Sequence, residues 1–129
     1  MPRYVLLRHE CPPDYEKPSH WDFMLEQDGK LLTWELRDLP KLWGEALEVA
    51  ASEAAMVTAY PLADHRLAYL DYEGLVSGGR GTVTRCDGGN YRLLEQGEEQ
   101  IVVELIDGKL NGVVRLVCEQ EAWQVATGE

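Results

Sequence analysis

Short alternating segments separated by turn-forming residue pairs are the sequence feature that most constrains this fold. Asp28-Gly29 separates His20–Gln27 from Lys30–Leu36, and an Asp-Gly pair between two such segments predicts a tight β-hairpin. Asp107-Gly108 and Asn111-Gly112 mark further turns. Many short strands joined by glycine turns are typical of a barrel or a sandwich. We predict a mainly β fold, a compact antiparallel β-barrel with one or two short flanking helices.

The rest of the chain is divided in the same way. Cys11–Ser19 contains three prolines and is predicted to be a loop, and an Ala-, Leu- and Glu-rich segment predicts a helix around Glu45–Ala55. Asp87–Asn90 is predicted to be a turn. Further strands are predicted at Tyr4–His9, Thr58–Leu62, Arg66–Glu73, Thr82–Cys86, Tyr91–Leu94, Gln100–Ile106, Gly112–Cys118 and Ala122–Ala126.

Length and composition predict one ordinary globular domain, residues 1–129. Hydrophobic residues make up 45% of the chain, which is enough for a buried core. The 3 cysteines include no C-x-x-C pair, which argues against a disulfide framework or a cysteine-only zinc site and favours a reducing, cytoplasmic location. No apolar run approaches the roughly 18 residues of a membrane helix, so we expect no membrane association.

The formal net charge of −11 disfavours an extended basic surface of the kind that binds nucleic acid. An acidic chain binds a strand end only through a local basic patch and a metal ion, and we expect such binding to be weak. The alternative is that the acidic residues serve solubility alone.

Two of the three histidines lie in a pattern that suits a metal ion. On a strand, His20 and Asp22 point to one face while Trp21 and Phe23 point to the other. Imidazole and carboxylate together form a ligand set for Mn²⁺, Fe²⁺ or Zn²⁺, and His9 supplies a third ligand from the neighbouring strand. The alternative is a hydrogen-bonded surface pair without a metal.

Two other features have both a functional and a structural interpretation. Cys11 lies two residues after His9, so it either joins the metal and favours zinc or simply begins the proline-rich loop. The segment Ser77–Gly81 either cradles a phosphate with its backbone N–H groups or forms an ordinary hairpin turn.

Three segments, in order, resemble the 3′-phosphoesterase domain of bacterial DNA ligase D. Tyr4–His9 matches the family strand that ends in its first metal histidine. His20–Glu26 with Gly29 is similar to the family signature His-Tyr-Asp-Phe-Arg-Leu-Glu-x-x-Gly. Asp64–Gly74 is similar to the family segment Asp-His-Pro-Leu-Glu-Tyr-x-x-Phe-Glu-Gly. The resemblance covers residues 4 to about 91.

The resemblance implies a stand-alone, metal-dependent phosphoesterase that removes 3′-terminal phosphates from nucleic acid during end repair. It implies metal ligation by His9, His20 and Asp22, with Mn²⁺ favoured over Zn²⁺ or another divalent ion. His65 and Tyr69 match the catalytic histidine and tyrosine that contact the phosphate. Nucleic-acid 3′ ends are the implied partner, and a ligase or polymerase is a second one.

One departure from the family pattern concerns charge. Met24 stands where the family has an arginine, on the face that His20 and Asp22 share. Arg66 and Arg80 are the best candidates to replace that cation in the catalytic site, with Arg8 a further one. If none does, two alternatives remain: a binding module that keeps the barrel and the metal but lacks catalysis, or a phosphoesterase for another small substrate.

Overall fold

Eight antiparallel strands form a closed barrel in the computed structural model, which describes residues 1–128. Around the barrel the order is β1, β2, β3, β4, β9, β8, β7 and β6, and β6 pairs with β1 to close the ring. The predicted antiparallel barrel is confirmed. The strands are β1 (Arg3–Glu10), β2 (His20–Gln27), β3 (Lys30–Leu36), β4 (Met56–His65), β5 (Gly74–Leu75), β6 (Thr82–Gln96), β7 (Gln100–Ile106), β8 (Gly112–Glu119) and β9 (Ala122–Thr127).

The β2–β3 hairpin has the predicted bounds. Asp28 and Gly29 form its turn with φ values of 54° and 81°, the positive pair that a two-residue hairpin turn requires. The turn fixes the register and sets Asp22 opposite Glu35 on β3. The side chains of Asp22 and Glu35 therefore lie next to each other on the same face of the sheet.

The interior of the barrel holds the main hydrophobic core. Every one of the eight barrel strands contributes to it, because alternate residues on each strand point inward. Its largest side chains include Tyr4, Phe23, Trp34, Trp43 and Tyr91, all buried. Trp34 and Trp43 thus lie in the core.

A second hydrophobic cluster covers the outside of β1, β2 and β3, and we call it the outer cluster. The segment between β4 and β6 crosses this face and buries it with Leu70 and Val76. The outer cluster consists of Val5, Leu7, Met24, Leu31, Leu70, Val76 and Val83, with Tyr69 packed against it. Because strand residues alternate, the outward side chains at the ends of these strands border this cluster.

The helix is shorter and earlier than predicted. It is α1 (Lys41–Leu47), and Glu48 ends it by adopting the left-handed conformation at φ 59°. The chain then folds back, and Lys41 donates its N–H to the carbonyl of Ala54. The predicted helix around Glu45–Ala55 is therefore wrong over most of its length. Within residues 1–128, no helix has the length and apolar character needed to cross a membrane.

The segment Arg66–Glu73, predicted to be a strand, is a 3₁₀ turn at Leu67–Leu70 instead. Leu70 is buried in the outer cluster while Leu67 and Ala68 are exposed. The turn places its apolar residue, Leu70, on the sheet below.

The predicted turn at Asp87–Asn90 is also wrong, because β6 continues through it. Gly89 lies so close to β7 that a Cβ there would come within 2.5 Å of the Ile106 carbonyl oxygen. Asp87 is buried and accepts a 2.8 Å hydrogen bond from the hydroxyl of Tyr4. These residues serve close packing within the sheet and do not reverse the chain.

Candidate metal centre

His9, His20 and Asp22 come together on the outer face of the β1–β2 pair. The register places His9 directly opposite His20, and Leu7 opposite Asp22. The two imidazole rings are 4.8 Å apart between centroids and meet edge to face. The alternation expected from the sequence is present, with Phe23 in the barrel interior and Asp22 on the other side.

Each histidine uses one ring nitrogen to hold its orientation. The Nε2–H of His9 donates to the backbone carbonyl of Arg80 at 2.7 Å, and the Nδ1–H of His20 donates to the carbonyl of Pro18 at 2.9 Å. A carbonyl only accepts, so the proton of each neutral ring lies on that nitrogen. The lone pairs of His9 Nδ1 and His20 Nε2 are left to face Asp22. Such carbonyl partners are typical of histidines that bind metals.

The carboxylate of Asp22 lies between the two rings. One oxygen, Oδ2, is 3.7 Å from His9 Nδ1, and the other, Oδ1, is 3.3 Å from His20 Nε2. Asp22 Oδ1 is buried and makes no hydrogen bond. Three acceptor groups thus converge without a donor between them, an arrangement that a shared cation stabilises. The donor set fits a divalent metal ion.

The charge balance at this centre keeps Asp22 ionised. Burial alone would raise the pKa of Asp22, but the neighbouring rings of His20 and His9 lower it to about 2. Burial would likewise lower the pKa of His20, yet the Asp22 carboxylate and the Pro18 carbonyl raise it above its usual value.

Cys11 is a further group at this centre that could bind a metal ion. Ligand atoms of His9, Cys11 and His20 all lie within 4.8 Å of one another. Burial, together with the carboxylates of Asp22 and Glu35, raises the pKa of the Cys11 thiol. The sequence analysis had left open whether Cys11 belongs to the metal site or only begins the loop, and the structure places it beside the histidines.

A buried carboxylate next to this centre was missed by the sequence analysis. Glu35 is 1% exposed, and it accepts hydrogen bonds from Lys17 at 3.2 Å and from Arg37 at 2.8 Å. Burial opposes ionisation of Glu35, but the hydrogen bond from Arg37, the charge of His20 and the contact with Lys17 together lower its pKa. The hairpin register centred on Asp28-Gly29 could have placed Glu35 opposite Asp22.

His65 and Tyr69 lie farther along the same outer face. Their rings meet edge to face with centroids 5.6 Å apart, and His65 Nδ1–H donates to the carbonyl of Ala63. His65 pairs with Leu31 of β3, whereas Asp22 pairs with Glu35. Those β3 positions are four residues apart, so the histidine is displaced by about 13 Å along the strand from the level of Asp22.

The two arginines that the sequence singled out have different surroundings. Arg80 is exposed and directs its guanidinium at its own loop, donating to the Ser77 carbonyl at 2.7 Å. Its backbone carbonyl orients His9. Arg66 is exposed at the start of the 3₁₀ turn, immediately after His65.

Met24 does share a face with His20 and Asp22, as expected, but it does not line an open pocket. It is 1% exposed and packs in the outer cluster with residues such as Leu7 and Leu70. Hydrophobic side chains thus surround the position at which the ligase family has an arginine.

The family model described as the DNA ligase D 3′-phosphoesterase domain matches residues 13–118. No curated protein matches the chain. Since the family model covers most of the 129 residues, the chain belongs to the DNA ligase D 3′-phosphoesterase domain family.

Proposed function

We propose that this protein is a divalent-metal-dependent phosphoesterase that removes the terminal phosphate from nucleic-acid 3′ ends during end repair in the cytoplasm. The observation that carries the proposal is the convergence of His9, His20 and Asp22, with one buried carboxylate oxygen left without a donor. Membership of the phosphoesterase family supports the same reaction class.

In this proposal His9 Nδ1, His20 Nε2 and Asp22 hold the metal, which the family resemblance implies is Mn²⁺. When bound, such an ion polarises a phosphate oxygen or lowers the pKa of a bound water. The carbonyls of Arg80 and Pro18 keep the two rings turned toward Asp22, so the ligands are preorganised before the ion arrives.

The family resemblance assigns the phosphate contact to His65 and Tyr69 in this proposal. His65 lies about 13 Å along the strand from the level of Asp22, so the segment that carries it must approach the metal for one phosphate to reach both. Because Nδ1–H of His65 is committed to the Ala63 carbonyl, a proton given to the departing 3′ oxygen would come from Nε2–H of the imidazolium form of the ring. The edge-to-face contact with Tyr69 fixes the ring for that role.

The negative charge of the phosphate requires a cation besides the metal. Arg66 is adjacent to His65 and exposed, so we assign the charge contact to it. Arg80 acts mainly through its carbonyl, since its guanidinium is held by Ser77. The partner is a nucleic-acid 3′ end, and a ligase or polymerase that uses the resulting 3′ hydroxyl is a further proposed partner.

The test is an end-processing assay. A primer–template with a 3′-phosphate is incubated with the protein and Mn²⁺, and both the 3′-hydroxyl product and released phosphate are measured. We expect Mn²⁺-dependent conversion that Asp22→Asn lowers by about 100-fold or more, since even partners of metal ligands contribute 10–100-fold.

Asp28→Asn is the matched control, because it makes the same chemical change in the hairpin turn, where the left-handed conformation tolerates asparagine. It should leave conversion unchanged. Conversion that is independent of metal, or equal in Asp22→Asn, would contradict the proposal. Binding of the primer–template without any product would instead favour the non-catalytic binding module.

A further inference from the structure

Cys11 is held beside the two histidines by its own loop. The backbone N–H of Cys11 donates to the hydroxyl of Ser19 at 2.8 Å, which joins the two ends of the proline-rich loop. Ser19 immediately precedes His20, and Cys11 lies two residues beyond His9. The loop closure therefore brings the thiol to the histidine pair, within the 4.8 Å cluster of ligand atoms.

Asp22 provides an independent sign that a cation belongs at this position. Its side chain is 6% exposed, and its Oδ1 has no hydrogen-bond partner. Leaving a buried carboxylate oxygen unpaired is costly, and the nearby His20 Nε2, at 3.3 Å, makes no hydrogen bond to it. The cluster of close ligand atoms comprises His9, Cys11 and His20, and Asp22 adjoins it through both histidines, at 3.7 Å from His9 Nδ1 and 3.3 Å from His20 Nε2. A metal ion held between the two rings would therefore be within reach of this carboxylate.

We infer that Cys11 is a metal ligand, and that it completes a four-ligand set with His9, His20 and Asp22 that selects Zn²⁺ over Mn²⁺. The inference rests on the metal site of the proposed function but not on its activity. It departs from the Mn²⁺ that the family resemblance implies, because that expectation uses the histidines and the aspartate alone.

The chemistry of the donor atoms supports this selectivity. Two imidazole nitrogens, one thiolate and one carboxylate oxygen suit the tetrahedral coordination of Zn²⁺. Mn²⁺ prefers oxygen ligands and gains little from a thiolate, whereas Zn²⁺ binds thiolates well. On binding, the Cys11 thiol would release its proton to solvent, since the thiolate is the ligand.

Spectroscopy of the metal-loaded protein tests the coordination directly. With one equivalent of Zn²⁺, X-ray absorption should show one sulfur at about 2.3 Å together with nitrogen and oxygen neighbours at about 2.0–2.2 Å. With Co²⁺ in place of Zn²⁺, we expect a thiolate-to-cobalt charge-transfer band. Cys11→Ser should abolish this band, and the matched control Cys118→Ser on β8 should retain it.

Affinity provides a second readout. Competition with a chromophoric chelator should show that Cys11→Ser weakens Zn²⁺ binding by at least about 10–100-fold, the loss seen when partners of metal ligands are removed. Mn²⁺ affinity should change much less. Thermal unfolding of Cys11→Ser without metal checks that the variant folds.

The outcomes separate this inference from the proposed function. A zinc shell of nitrogen and oxygen alone, or a charge-transfer band that survives in Cys11→Ser, would overturn the inference and leave the proposed function standing. Sulfur ligation in a protein without 3′-phosphate turnover would support the inference and overturn the function. Failure to bind either metal would overturn both.

Discussion

At the scale of one residue, Met24 occupies the position at which the ligase family has an arginine, so the site lacks a positive charge there. The side chain is 1% exposed, and its neighbours are the hydrophobic residues of the outer cluster. Restoring an arginine at this position therefore does more than supply a cation. It places a guanidinium among aliphatic side chains, where an unpaired charge is costly.

We predict that Met24→Arg lowers the free energy of unfolding by about 3 kcal/mol, a typical loss when a buried charge lacks a partner. Met24→Leu, which nearly conserves volume and polarity, should lower it by less than about 1.5 kcal/mol. Urea unfolding followed by fluorescence measures both variants. Equal stability of Met24→Arg and the natural protein would mean that the arginine finds an anionic partner or reaches solvent.

Glu35 leads to a prediction about pH. Its pKa in the folded protein lies below the usual 4.5, because the contacts with Arg37, His20 and Lys17 outweigh the effect of burial. The ionised carboxylate therefore stabilises the fold above pH 4.5, and that contribution is lost as the pH falls through the lower, folded-state value.

We predict that Glu35→Gln destabilises the protein at pH 7 by about 1–3 kcal/mol, as expected for hydrogen bonds to a charged group. The difference between the two proteins should shrink below pH 4.5. Parallel urea titrations at pH 7 and at acidic pH check this, because effects common to both proteins cancel in the difference. A constant difference across that range would show that ionisation of Glu35 does not contribute.

At the scale of elements, the loop before β6 positions the end of β1. Gly81 has φ +96°, and a Cβ there would come within 1.9 Å of the Glu10 carbonyl oxygen. The preceding carbonyl, that of Arg80, accepts the hydrogen bond from His9. The close approach of two backbones at Gly81 thus sets the position of His9, which we propose as a metal ligand.

We predict that Gly81→Ala weakens metal binding and stability together, because the backbones must separate and His9 then loses its carbonyl partner. Gly79→Ala is the matched control. Gly79 also has a positive φ, of +68°, but open space around it, so it carries only the conformational strain of about 1–2 kcal/mol. Calorimetric titration with Zn²⁺ distinguishes the two variants, and equal affinities would contradict the role of Gly81.

At the scale of the whole molecule, the charge distribution limits binding to nucleic acid. The net charge is −11, and within residues 1–128 six of the 12 basic side chains form ion pairs with carboxylates. Few cations are therefore available to displace counterions from a phosphate backbone.

We predict a shallow slope of log K against log salt for a 3′-phosphate primer–template, about −2 to −4. Fluorescence anisotropy across a range of salt concentrations gives this slope. A slope near −8 would require many more phosphate contacts than the free basic residues supply.

The sequence predicted the parts of this molecule that local turn chemistry determines. Asp28-Gly29 was sufficient to give the bounds of β2 and β3, and with them the shared face of His20 and Asp22. Local sequence was not sufficient for Arg66–Glu73, where burial of Leu70 against strands distant in sequence decides the conformation. Local sequence also gave the wrong structure at Gly89, whose role depends on the proximity of β7.

The candidate site was predictable to a similar degree. The convergence of His9 with His20 follows from antiparallel pairing of two predicted strands. The position of Cys11 was not predictable, because it depends on a hydrogen bond from its backbone to Ser19 across the whole loop. Likewise, the Arg80 carbonyl that orients His9 belongs to a segment distant in sequence.

The closure of the barrel has a consequence for how the protein is made. Strand β1 emerges from the ribosome early, but it pairs on one side with β6, so that Arg3 is matched with Asn90. The nascent chain therefore carries an unpaired β1 edge until Thr82–Asn90 have left the exit tunnel. Pairing across such a separation is slow, and refolding of the whole chain should take milliseconds to seconds. During that interval the hydrophobic face formed by Val5 and Leu7 is exposed. A holding chaperone would bind to this segment of β1.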